Sequence, residues 1–161
     1  MILPADLGDD FLATYKGVLA YLNGGEEPES VEDYVVFRKQ LYSEFADIQS
    51  DLAKYLEPEF FESLSHAVFG RFVFMKKYRK GYAFQNTKNS NFYLAVGLTT
   101  PLEEIMPEYS IIETAILTFK GYLVCDGLIA SYNTVLGKNY QKSIRDSYWE
   151  AHKNNEVISC V

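Results

Sequence analysis

The hydrophobic period of this chain changes once, and that change limits its fold more than any motif does. Before residue 66 apolar side chains recur every three or four positions; from Gly70 they alternate or run in short blocks. The first pattern buries one stripe of a helix, the second one face of a strand. Residues 6–23 place Phe11, Leu12, Tyr15, Val18, Leu19 and Leu22 on one helical face, which Asn23-Gly24-Gly25 ends. Ser30-Val31-Glu32-Asp33 resembles a capping box and opens a second helix. Val31, Tyr34, Val35, Arg38, Leu41 and Tyr42 follow it at helical spacing. Residues 45–56 form a similar helix with Ile48, Leu52 and Tyr55 inward, continuous with the second or offset near Ala46. Pro58 breaks it and starts a short helix over 59–67.

Beyond Gly70 the spacing predicts strands. Residues 71–77 put Phe72 and Phe74 on one face and Val73 and Met75 on the other. Lys80-Gly81 turns the chain into 82–85, and 92–97 is a third strand. Thr100-Pro101-Leu102-Glu103-Glu104 reads as the start of a short helix. Residues 111–119 and 122–125 flank the hairpin turn Lys120-Gly121, and 128–136 follows Asp126-Gly127 as a further strand. Residues 139–154 form a helix with Tyr140, Ile144, Tyr148, Trp149 and Ala151 on one face; 157–161 return as an edge strand. Helices segregated before strands give an α+β fold. The expectation is one domain over residues 1–161. In it a helical layer of about 6–67 packs on a mostly antiparallel sheet of about 70–161, with one long helix near the C-terminus. Phe72, Phe74, Ile116 and Leu123 are expected in the core between sheet and helices.

Charge divides at the same place. Residues 1–66 carry fourteen acids and four bases, a net of −10, whereas 67–161 carry eight acids and eleven bases, a net of +3. The chain of 161 residues has a net charge of −7 and is 48% hydrophobic, which suits a globular domain that needs neither metal nor disulfide staples. No apolar run is long enough for a bilayer, and MILPADLGDD has no basic n-region or apolar h-region, so no membrane association and a cytoplasmic setting are expected. Cys125 and Cys160 fit no zinc or redox spacing and are expected to be free thiols, Cys125 as a small buried hydrophobe.

The segments GRFVFMKKYRKGYAFQN, YLAVGLTTPLEEIMPE, ETAILTFKGYLVCDGLI and the tail EVISCV carry a resemblance. Over residues 67–161 the chain resembles a group of short bacterial proteins without a known activity. In that group a strand ending Phe-Lys-Gly is followed by an apolar strand, Asp-Gly, a charged helix and a short β-like tail. Thr118 stands where the group has proline, and Cys125 where tyrosine is usual. The resemblance implies a coherent domain of bacterial or phage origin and carries over no functional residue.

No catalytic set is expected. His66, beside Ser63 and Ser65, makes no triad by closeness in sequence, since a triad is built by fold geometry; His66 and His152 read as exposed or capping residues, and no GxSxG elbow occurs. The acid pairs Asp9-Asp10, Glu26-Glu27 and Glu103-Glu104 sit at loops or helix starts, where they suit the helix dipole. No metal site and no cofactor are expected, since zinc spacing, calcium loops and phosphate-binding glycine loops are all missing from the sequence. Two basic constellations remain. Lys76, Lys77, Arg79 and Lys80 form a hairpin interleaved with aromatics, a pattern that grips phosphates and also one that protects a sheet edge. Lys138 precedes the last helix and Lys142 and Arg145 lie in its first two turns, where they could hold an anion, or Lys142 and Arg145 could pair with Asp146 or Glu150. The leading expectation is a non-enzymatic protein that binds another macromolecule, above all a protein, as an inhibitor or regulator. Charge segregation and a 16% aromatic content favour it. The alternative is nucleic-acid or phosphate binding through 76–80 and 138–145, disfavoured by the acidic balance. Self-association stays open.

Overall fold

A computed structural model describes residues 1–159; Cys160 and Val161 lie outside it. Four helices come first: α1 (Ala5–Leu22), α2 (Val31–Ser43), α3 (Phe45–Tyr55) and α4 (Pro58–Ser65). The Ser30 side chain accepts the Asp33 amide at 3.1 Å, which fixes the start of α2. α2 and α3 are separate helices, broken at Glu44. The strands are β1 (Val68–Tyr78), β2 (Gly81–Asn86), β3 (Phe92–Ala95), β4 (Ser110–Phe119), β5 (Tyr122–Cys125) and β6 (Ala130–Val135), followed by α5 (Lys138–Lys153). A single 3-10 turn at Leu102–Glu104 lies between β3 and β4. The fold is the expected helical layer on an antiparallel sheet with a long C-terminal helix.

The strand order is β3-β2-β1-β4-β5, every neighbour antiparallel. The sheet also curls until its ends meet. Val96, just past β3, bridges Val124, donating to the Leu123 carbonyl and accepting the Cys125 amide, both at 2.9 Å. The curl encloses Phe72, Phe74, Phe84, Tyr93, Ile112, Ile116 and Cys125, with Leu102 and Met106 packed against them. Phe72, Phe74, Ile116 and Leu123 are thus buried as expected, but they face one another inside the curl rather than lying between sheet and helices. The outer face is covered twice. Leu117, Phe119 and Val124 pack under α1–α4, and Val73, Met75, Ala83 and Phe92 pack under Ile144, Tyr148 and Ala151 of α5.

β5 and β6 run along the same edge of β4, at residues 116–119 and 110–113 respectively. They amount to one strand interrupted at 126–129. The expected strand 128–136 therefore begins only at Ala130, because the Asp126 carboxylate accepts the Leu128 amide at 3.0 Å and holds a turn there. Gly127 has φ of 77°, a conformation that costs glycine little. Three expected inward side chains point outward: Tyr55 is 73% exposed, Tyr140 71% and Trp149 49%. Ile144, Tyr148 and Ala151 already fill the width α5 presents to the sheet. Of the expected terminal strand, Ile158 bridges Tyr93, and 160–161 lie outside the described residues.

Candidate functional site

The interruption between β5 and β6 is filled from the helical layer. Arg38 occupies the α2 stripe that otherwise buries Leu41, and it reaches the sheet with no exposed surface. Its Nη1 donates to Asp126 Oδ1 at 2.9 Å, Asp126 Oδ2 at 2.8 Å and the Leu128 carbonyl at 2.7 Å; Nη2 approaches the Glu113 carbonyl at 3.5 Å. Phe69 lies 5.1 Å from the guanidinium carbon, and the buried Nε has no partner. Asp126 also accepts from the Tyr15 hydroxyl at 2.8 Å and from Thr114 Oγ1 at 3.0 Å. Tyr15 has spent its proton on Asp126, so Tyr42, 2.8 Å away, donates to the Tyr15 oxygen. By the same logic the Cys125 thiol donates to Thr114 Oγ1 at 3.5 Å.

Burial works against the Arg38 charge, but the Asp126 carboxylate outweighs it and holds the guanidinium above its ordinary value. Burial first, and then the Asp126 charge, raises Tyr15 and Tyr42 far above the usual phenol range. The same two causes push Cys125 up to about 11. Such a thiol is no nucleophile at neutral pH. The node ties α1 and α2 to the sheet and uses its polar atoms internally, the Arg38 Nε excepted.

Above this node lies a cleft of about 280 Å³. It is lined by Leu12, Tyr15 and Leu19 of α1, Val31 and Tyr34 of α2, the 98–105 connection, and Asp126–Leu128. Its walls are mainly apolar, and Val31 and Ile105 stand at its rim, 65% and 42% exposed.

The charge seen in the sequence lies outside. All fourteen acids of residues 1–66 are exposed, as are Lys16, Lys39 and Lys54, while Arg38 is cancelled inside by Asp126. The outer helical layer therefore carries −11 rather than −10. Lys120 reaches across from the β4–β5 turn to Glu59 at 2.9 Å.

The basic constellations are partly spent and partly brought together. Lys77 pairs with Glu103 at 3.2 Å, and Tyr82 also donates to Glu103, pinning the 3-10 turn. Arg79 and Lys80 are exposed at the β1–β2 turn. Lys76 lies 5.9 Å from the Tyr78 ring, and Tyr78 stacks on Tyr148 of α5 at 4.8 Å with Trp149 edge-on at 5.2 Å. On α5, Lys138 and Lys142 are exposed, and Arg145 turns to the Tyr109 hydroxyl at 3.4 Å rather than to Asp146 or Glu150. The hairpin thus abuts α5 through Tyr78 and Tyr148. His66 caps α4, bonding the Glu62 carbonyl at 3.1 Å, and His152 is exposed.

Among the described residues no group of three or more His, Cys, Asp or Glu could hold a metal ion, and no helix is long and apolar enough to cross a membrane. The Arg38–Asp126 node and the cleft above it went unrecognised in the sequence. Its two traces were an arginine in an apolar helical stripe and an Asp-Gly interrupting a run of strand residues. Comparison with protein-family models, curated proteins and solved structures gave no match for this chain.

Proposed function

We propose that this chain is a non-enzymatic binding protein whose acidic helical layer receives a basic partner protein, acting on it as an inhibitor or regulator. The observation that carries the reading is the outward display of all fourteen carboxylates of residues 1–66 against three exposed lysines. A surface of one sign speeds encounter with an oppositely charged partner and disfavours others. Burying the Arg38 charge against Asp126 adds to that asymmetry, and the node holds the helices that display it in a fixed relation to the sheet. Affinity purification from the native host, at low and high salt, tests it. A basic protein recovered at low salt, lost at high salt and lost with the Glu57→Gln/Glu59→Gln/Glu62→Gln variant supports the reading. Recovery unaffected by both changes overturns it.

A second reading has one specific support. Stacking of Tyr78 on Tyr148 brings the basic hairpin 76–80 beside α5, with the half-exposed Trp149 edge-on to both rings. Bases stack on such aromatics, and basic neighbours hold the phosphates. Trp149 is the one tryptophan of the chain, so quenching of its fluorescence by a single-stranded oligonucleotide, reversed by salt, would favour nucleic-acid binding.

A further inference from the structure

We infer that the cleft between α1, α2 and the 98–105 connection is an anchor pocket for one aliphatic side chain carried on a lysine- or arginine-rich segment of a partner protein. This rests on the acidic-layer reading and adds the place and chemistry of contact. Four separate segments build the pocket, so its shape depends on the tertiary fold rather than on one mobile loop. Gly8 holds the connection close: a side-chain carbon there would stand 3.3 Å from the Leu98 carbonyl.

The size and polarity select the occupant. About 280 Å³ lies at the small end of ligand pockets, which run from roughly 300 to 1,000 Å³. It suits a side chain better than a cofactor. At the floor, Tyr15 and Asp126 have committed their polar atoms to each other, to Arg38 and to Thr114. A polar guest would find no free group at that floor, only Lys16, Tyr34, Thr99 and Thr100 elsewhere in the lining, while an apolar one displaces water from Leu12, Leu19 and Leu128. Val31 and Ile105, apolar yet exposed, form the rim that such a guest would cover.

The surroundings fix the charge of the segment that carries the guest. Glu32 and Asp33 follow Val31 in the first turn of α2, and Glu104 precedes Ile105; all three are exposed. Tyr34, on the pocket wall, has its phenol raised by burial and then by the Glu27 carboxylate, which places that acid nearby as well. Lys16 is the one base in the lining, and Glu103 is held by Lys77. Acids therefore outnumber bases around an apolar centre, the complement of a basic segment with one apolar residue.

The test uses the full chain, labelled with ¹⁵N, and three heptapeptides: three lysines on each side of leucine, the same with alanine, and leucine flanked by glutamates. The leucine–lysine peptide should give saturable amide shifts at Val31, Thr99, Ile105 and Gly127. It should bind roughly tenfold or more tighter than the alanine peptide, since it buries a larger apolar side chain. The Val31→Ser/Ile105→Ser variant, altered only at exposed positions, should erase that preference and keep salt-dependent attraction to both lysine peptides; Ile105→Gln alone should reduce it. Equal binding of the leucine and alanine peptides, or shifts centred elsewhere on the helices, overturns the pocket and leaves the acidic-layer reading standing. Lysine peptides that bind no better than the glutamate peptide overturn the acidic-layer reading itself. Concentration-dependent dimerisation without peptide, abolished by Val31→Ser/Ile105→Ser, overturns the partner assignment in favour of a second copy.

Discussion

Replacing Arg38 with methionine keeps most of the volume of a fully buried side chain and removes its charge. Asp126, with no exposed surface, would keep three donors, from Tyr15, Thr114 and the Leu128 amide, but lose its counter-ion. The Leu128 carbonyl would lose its 2.7 Å donor. Breaking a buried ion pair from one side costs about 3–5 kcal/mol, chiefly because the remaining charge stays buried and unpaired. Asp126→Asn leaves the guanidinium without its counter-ion and falls in the same range of roughly 3–5 kcal/mol. The two residues share one set of bonds, so Arg38→Met/Asp126→Asn should cost about 1–3 kcal/mol less than the sum of the single changes. Urea unfolding followed by circular dichroism measures all three, with the slope checked for a changed unfolded state. An Arg38→Met loss below about 1 kcal/mol, the level of an ordinary surface change, would refute the reasoning. So would additivity within about 0.5 kcal/mol.

Phe74→Ala, inside the curled sheet against Tyr82 and Phe84, should cost ~3–5 kcal/mol in the same assay. Gly97→Ala should cost about 1–3 kcal/mol by overpacking, because the added carbon would stand 2.9 Å from the Thr100 carbonyl; a melting temperature equal to that of the parent contradicts this. Glu103 is held down to about 2, first by the Tyr82 hydroxyl and further by Lys77. A depressed carboxylate stabilises the fold above its ordinary 4.5, and that contribution fades as pH falls toward 2. Acid titration should therefore loosen the 102–106 amides across that window in the parent, and Glu103→Gln should remove this pH dependence. Cys125, buried and raised to about 11, should resist thiol reagents in native Cys160→Ser protein and react once in urea; rapid native reaction would show that the node opens.

The sequence by itself determined the elements and the two-part architecture. Period 3.6 before Gly70 and period 2 after it came from side chains that must each turn one face to an apolar neighbour, a local requirement that Phe11, Tyr15 and Leu19 or Phe72 and Phe74 express in their spacing alone. The charge split was equally legible, because exposed acids need no particular partner. What the outer positions of α3 and α5 do was not: Tyr55, Tyr140 and Trp149 satisfy a helical spacing, yet the width of the surface beneath each helix decides which of them it covers. Arg38 and Asp126 lie 88 positions apart, and neither spacing nor composition couples them. Only folding brings α2 onto the gap between β5 and β6, where low dielectric and unpaired carbonyls make that arginine and that aspartate necessary to each other. The cleft above them is decided in the same way, since its walls come from segments that meet only once the sheet has curled and the helices have docked.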